Sequence, residues 1–334
     1  MYEYLLIIII FSIVLFFYIH VYFHYKTSSD LEIYEIHEPN KEDFNKICDL
    51  RQPVLFNSAI CSELIPHFNI KNLNKHFSHF DINIRNCNVN NETPNMNIYK
   101  NYTFEDGIKI IKSNKFVYSE NNSHFLEESS LCKLIKQTDD ILQPSFLIQS
   151  TFDLIIGSQC ITPLKYNISY RTFILPIEDE VIIKLVPPRY SSLMSITKDY
   201  EYFQFLSNNN LWLETDNKKI KNITFTLSPG QSLFIPAYWW YSLHLIKPNA
   251  ILVLQYYSVM NYISISPDIL LYLLQQQNIK YKTPCLIKRF NDDSIDGGEN
   301  NKDIKNKSVK EKKNSKGNNT EKNELVEEKG INTT

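Results

Sequence analysis

Side chains that could hold a metal or attack an electrophile are present in this 334-residue chain, but they are scattered. The single His-x-Asp triplet is His79-Phe80-Asp81, within HFSHFDINIRN. On a strand, residues i and i+2 share a face, so such a pair could offer two metal ligands together. No third ligand stands near it in sequence, and the triplet reads as a chance pairing. The six cysteines (Cys48, Cys61, Cys87, Cys132, Cys160 and Cys285) form no C-x-x-C pair and no Cys/His cluster with zinc spacing. They are also too sparse for a disulfide scaffold, which leaves the redox compartment open. No phosphate-cradling glycine loop, nucleophile elbow or H-E-x-x-H helix occurs. The formal net charge of −2 argues against a broad electrostatic footprint, so no nucleic-acid partner is expected.

The elements around these residues fall into zones. Leu5 to Phe23 reads LLIIIIFSIVLFFYIHVYF, without Asp, Glu, Lys or Arg. As a helix it is about 28 Å long, close to the apolar thickness of a bilayer. Tyr18, Tyr22, Phe23 and Tyr25 crowd its C-terminal end, where an interfacial belt belongs. The n-region lacks Lys and bulky residues follow the run, unlike a cleaved signal peptide. The reading is a single-pass anchor over residues 1–26, with membrane contact through residues 5–23. Lys26, the one basic residue near either flank, weakly favours a cytoplasmic C-terminal part, while the compartment stays open.

Residues 27–150 read as helices mixed with short strands. Asn40 before KEDFNKICDL and Thr103 before FEDGIKIIKS are helix caps followed by apolar faces. Residues 151–262 change character to short β-branched and aromatic runs separated by turn formers such as Pro187-Pro188 and Pro229-Gly230. Pro267-Asp268 opens a helix within 263–290, and 291–334 is a charged, Asn-rich stretch without aromatics that reads as a disordered tail. Many short strands at this spacing suggest a sandwich or jelly roll.

Two segments are distinctive together: IGSQCITPLKYN (156–167) and LSPGQSLFIPAYWWYSL (227–243). With the prolines between them, they resemble the cupin-like, JmjC-type branch of the iron and 2-oxoglutarate dioxygenases. There a Gly turn runs into a T-P-L-H-x-D segment, and a P-G-D turn leads to an F-I-P-x-x-W-W-H strand. The stretches YEIHEPNKEDFNKICDLRQPVLF and TFEDGIKIIKSNKFVYSE resemble the parts that precede the barrel in that family, so the likeness covers about residues 34–262. Glycine usage fits. Only Gly107, Gly157 and Gly230 lie between residues 27 and 290, and the last two fall where the family turns tightly, which suggests a need for positive φ.

The resemblance implies a mainly β fold, a double-stranded β-helix (cupin/jelly-roll) with flanking helices, here joined to one N-terminal transmembrane helix. It also implies an iron site of two histidines and a carboxylate. Carried over by motif, those ligand positions fall on Lys165, Asn167 and Tyr241, none a good iron ligand. A protonated Lys has no free lone pair, Asn offers a neutral carbonyl, and Tyr must ionise against a pKa near 10. The family's 2-oxoglutarate lysine falls at Glu180 or Val181. Neither Fe(II) nor 2-oxoglutarate is therefore expected as a cofactor, and no catalytic residue is expected. The Lys165 ammonium is expected either to fill the place of the metal, bonded by Asn167, Tyr241 and Glu180, or to reach solvent through an open barrel mouth. Thr162, Arg171, Glu180 and Trp239 are further candidates for a pocket, although Arg171 also reads as a surface residue and Trp239 as barrel wall. The function expected is that of a membrane-anchored pseudo-dioxygenase serving as a binding or scaffold module for an unknown protein partner. An active hydroxylase or demethylase with atypical ligands, using Fe(II) and 2-oxoglutarate, is the alternative, and a metal-free cupin that binds a small molecule is another.

Overall fold

The structure, a computed structural model, describes residues 2–37, 40–57, 59–87, 99–114, 116–212 and 219–278. The expected charged tail at 291–334 lies outside the described residues. The chain begins with helix α1 (Tyr2–Tyr25), whose apolar window is unburied and which is long and apolar enough to cross a membrane. Apolar side chains are exposed all around it, so it has no core-facing stripe of the kind that a helix of a soluble core would bury.

After α1 come β1 (Tyr34–His37), α2 (Lys41–Asp49), β2 (Val54–Asn57), α3 (Ala59–Phe68), α4 (Ile70–Phe77), β3 (Asp81–Asn86), β4 (Lys100–Thr103), α5 (Phe104–Ser113), β5 (Val117–Ser119), α6 (Ser123–Glu128) and α7 (Leu131–Thr138). The strand-rich part follows: β6 (Leu147–Gly157), β7 (Cys160–Ile161), β8 (Leu164–Tyr166), β9 (Arg171–Pro176), β10 (Val181–Val186), a 3₁₀ turn at Pro188–Leu193, β11 (Ile196–Asp199), β12 (Gln204–Ser207), β13 (Ile223–Leu227), β14 (Gln231–Pro236), β15 (Trp240–Leu245) and β16 (Asn249–Ser258). Helix α8 (Val259–Ser264) and a helix over 266–278, here α9, close the described chain.

These strands form two large sheets. The nine-stranded sheet runs β1-β2-β14-β9-β16-β6-β5-β3-β4, and the other runs β11-β12-β8-β15-β10-β13 with β7 also paired to β15. The larger sheet draws strands from both sides of residue 150, where composition changes. Its one parallel pair, β1 with β2, is bridged by α2, as a parallel crossover requires.

Local sequence explains the flanking helices. The Asn40 side chain accepts from the Asp43 N–H at 2.9 Å and starts α2, which buries Phe44 and Cys48. Thr103 caps α5 in the same way through Asp106, and α5 buries Phe104, Ile108 and Ile111. Helices α2 to α7 thus cover the outer face of the larger sheet, with Phe44, Phe104 and Phe125 packed over Phe173, Leu252 and Leu254. A second core lies between the sheets, built by Ile155, Ile174, Val253, Ile183, Tyr241 and Leu243. A third covers the far face of the smaller sheet, where Tyr166, Phe205 and Trp240 meet Ile265. Strand alternation makes this division: along β15, Tyr241 and Leu243 point between the sheets while Trp240 points away.

Two glycines show different needs. Gly230 has φ +92° in the turn before β14, the conformation expected from Pro-Gly. Gly157 is instead required by contact, because a Cβ there would lie 2.6 Å from Cys160 Sγ.

Candidate functional site

Strands β8 and β15 lie side by side with Lys165 directly opposite Tyr241. Both side chains therefore point to the same side, into the space between the sheets. Asn167, just past β8, donates from Nδ2 to the Tyr241 hydroxyl at 3.1 Å and to Thr172 Oγ1 at 3.3 Å. The three positions that the family resemblance singles out thus meet in space. They line one end of a cavity of about 450 Å³, together with Asp153, Gln204 and Tyr257.

The partner of Lys165 is a residue that the motifs did not point to. Lys165 Nζ lies 2.6 Å from Glu120 Oε2, with both side chains buried. Glu120 follows β5 directly. Its other oxygen accepts from Arg85 Nη1 at 2.5 Å, Tyr118 OH at 3.0 Å and Tyr99 OH at 3.1 Å. Arg85 Nη1 and Tyr99 OH also donate to Gln204 Oε1, at 3.1 and 3.0 Å. The Lys165 ammonium further sits 5.6 Å from the Tyr241 ring centroid.

The electrostatics follow from this arrangement. Burial alone would raise the Glu120 carboxyl, but the charges of Lys165 and Arg85 and the bonds from Lys165 and Tyr118 outweigh it, holding it at about 2 against an ordinary 4.5. Burial would lower Lys165, yet Glu120 raises it above its ordinary range, so it stays a cation. Burial pushes the Tyr241 hydroxyl up, against the opposing pull of Lys165 and the hydrogen bond from Asn167.

Asp153 faces the same cavity. Its carboxylate accepts backbone N–H bonds from Asn122 at 2.6 Å, Leu154 at 2.8 Å and Asn121 at 3.0 Å. Asn121 takes φ +62°, a left-handed conformation that Asn tolerates, at the turn which presents these donors. Protein surrounds Asp153, and burial raises its carboxyl, while solvent still reaches it through the cavity.

These donors do not fit an iron centre. Lys165 is protonated and committed to Glu120, the Asn167 amide nitrogen faces Tyr241, and the Tyr241 phenol is held neutral. Among the described residues no group of three His, Cys, Asp or Glu side chains could hold a metal ion. His79 and Asp81 are exposed at the start of β3 and lie off the cavity wall. Nucleophilic thiol chemistry is also disfavoured at the four cysteines whose side chains are described. Burial raises Cys48 to about 12 and Cys87 to about 11, and raises Cys160 and Cys132 as well. What the cavity offers is a fixed cation, a shielded carboxylate and amide and phenol groups, an arrangement for holding a polar molecule.

The remaining pocket candidates lie elsewhere, which corrects their expected placement. Thr162 is a clamp: its Oγ1 accepts from the Leu243 N–H at 2.9 Å, and its carbonyl accepts from Ser242 Oγ at 2.7 Å. Arg171 is buried rather than superficial, donating to the Leu142 carbonyl at 3.3 Å with Asp49 4.0 Å away. Glu180 is exposed in the turn before β10, where it accepts from Ser228 Oγ, so Glu120 rather than Glu180 neutralises Lys165. Trp239 is buried in the wall and donates from Nε1 to the Ser28 carbonyl at 3.0 Å. None of the four lines the cavity. His244 packs against Trp212 on the face opposite Tyr241.

No protein-family model matches the chain, and no curated protein matches it in sequence. The class that the fold defines is thus a two-sheet domain with flanking helices, carried behind one long apolar N-terminal helix.

Proposed function

We propose that this chain is a single-pass membrane protein whose two-sheet domain is a degenerate double-stranded β-helix of the cupin-like, JmjC type, working as a binding module and not as an iron oxygenase. The observation that supports this is the 2.6 Å ion pair between Lys165 and Glu120, set against Tyr241 at the place where motif resemblance expects metal ligands. A charge is still balanced there, but by an ammonium anchored to the protein. The binding site in this reading is the polar cavity beside the pair, and the ligand is a small polar molecule or a side chain offered by a protein partner.

Metal analysis and turnover of the full chain, purified in detergent and supplied with Fe(II) and 2-oxoglutarate, test the reading. The expected result is far less than one iron per chain and no succinate release. Stoichiometric iron with 2-oxoglutarate turnover overturns it. A thermal-shift screen of small polar compounds then tests the cavity, because a ligand of the native state raises the melting temperature with concentration. The Lys165→Met variant should lose any shift that a cavity ligand produces.

A further inference from the structure

The end of α1 is built into the domain. Arg51 donates from Nη1 to the carbonyls of Phe23, His24 and Lys26 at 2.7, 2.9 and 3.0 Å, taking up acceptors that the last helical turn leaves free. Tyr25 OH donates to the Ser264 carbonyl at 2.5 Å, and its ring stacks on Tyr238. Helix α8 and the start of α9 therefore lie where α1 meets the domain.

Helix α9 has two unlike faces. Its inner face is fastened to the smaller sheet: Tyr200 OH donates to Asp268 at 2.7 Å, Gln276 donates to the Glu201 carbonyl at 2.7 Å, and Tyr272 packs on Phe203. Its outer side presents Leu270, Leu271, Leu273 and Leu274, each between 46% and 58% exposed, and α8 adds Val259 and Ile263. Four half-exposed leucines within five residues of one helix are the kind of apolar surface that marks an interaction site.

We infer that this face of α8 and α9 lies in the headgroup–acyl boundary of the leaflet from which α1 emerges, as a second, interfacial membrane contact. The inference rests on the reading of α1 as a membrane-spanning helix. Continuity argues for lipid as the occupant. The last turn of α1 meets α8 through Tyr25 and Ser264, and α9 starts two residues later, so the exposed leucines follow directly on the place where the apolar run of α1 ends. Charge argues for apolar insertion over attraction to anionic lipid. Between 266 and 278 the sequence holds no Glu, Lys or Arg and one Asp, Asp268, which Lys198 already approaches at 3.4 Å. Contact with neutral phosphatidylcholine should thus suffice and should resist salt.

The test places an environment-sensitive fluorescent amino acid at position 271 or 274 of the full chain, reconstituted into phosphatidylcholine vesicles with and without nitroxide-bearing lipids. Position 15 in α1 reports on the anchor, and position 109 on the exposed surface of α5 is the control. These outer leucines carry little of the core, so the label leaves the fold intact. The expected result is blue-shifted emission at 271 and 274, with most of it lost to a nitroxide near the headgroup and the loss unchanged in high salt. Position 15 should be quenched by a deep nitroxide and position 109 by neither. Quenching at 15 without quenching at 271 or 274 overturns the interfacial contact and leaves the anchor standing. No quenching at 15 removes the anchor reading itself. A blue shift at 271 and 274 that lipid nitroxides do not quench, or that depends on protein density in the vesicle, assigns the face to a protein surface and also overturns the inference.

Discussion

Arg51 and Arg85 are both buried, and the protein accommodates them by different physics. Arg85 meets a carboxylate, Glu120, which it shares with Lys165 and two tyrosines. Arg51 meets backbone carbonyls at the end of α1, where the helix dipole concentrates partial negative charge, and its guanidinium lies 4.2 Å from the Phe23 ring centroid. One arrangement depends on a carboxylate, and the other mainly on backbone carbonyls, with the His24 ring Nδ1 also 3.2 Å from Arg51 Nη2. The difference teaches that the interior site should respond to loss of one carboxylate, whereas the joint at α1, held mostly by backbone carbonyls, should not.

The largest expected effect follows from removing that carboxylate. Glu120→Ala leaves two buried cations without their shared anion and should cost about 3–5 kcal/mol, read as a lower denaturation midpoint of the full chain in detergent. Lys165→Met should cost less, about 1–3 kcal/mol, because Arg85 and the tyrosines still satisfy Glu120. Equal losses in the two variants would break the picture of a shared anion.

Acid titration sharpens the comparison. The folded pKa of Glu120 is depressed, so its contribution is fully present above an ordinary value of 4.5 and is lost as pH falls from there toward about 2. Asp153 works in the opposite sense, since a raised carboxyl binds its proton more readily in the folded state and gains stability as pH falls. The wild-type chain should therefore lose stability between pH 4.5 and 2, and Glu120→Gln should flatten that slope while lowering stability at pH 7.

At the other arginine, Arg51→Ala should leave the loss of stability between pH 4.5 and 2 that Glu120 causes in place. Releasing the α1 carbonyls should ease local opening by about 2 kcal/mol, about thirtyfold in the opening equilibrium, seen as faster proteolysis between Lys26 and Asp30. The smallest change is expected at the clamp. Thr162→Val removes one bond to β15 and should cost about 1 kcal/mol, with Glu180→Ala in its exposed turn as the unaffected control.

What could be read from the sequence was local. The uniform apolar run of α1, the caps at Asn40 and Thr103, the short strands after residue 151 and the turn at Gly230 each carry their signal within a few residues. The family resemblance also pointed to Lys165, Asn167 and Tyr241 as neighbours, and the pairing of β8 with β15 and the bond from Asn167 to Tyr241 bring them together. The missing pieces are contacts across the chain. Glu120 follows a three-residue strand well before the two distinctive segments at 156–167 and 227–243, and nothing in VYSE announces a partner 45 positions later. Arg171 reads as an ordinary strand residue, and its burial appears only when α2 and the segment around Leu142 close over it. Gly157 looked like a turn glycine because the sequence records the absence of a side chain, not its reason. The reach of Arg51 to α1 was likewise invisible, since no periodicity connects residues 23–26 with 51.

The junction after α1 contains almost no slack. Ser28 donates its N–H to the Arg51 carbonyl and accepts from Trp239, so the chain is gripped within three residues of the helix end. With a stiff neck of this kind, the domain turns with α1, and under the proposed anchoring it would keep a constant heading relative to the bilayer plane. Any partner held at the same surface would then be met partly aligned, and less rotational freedom would remain to be surrendered on docking.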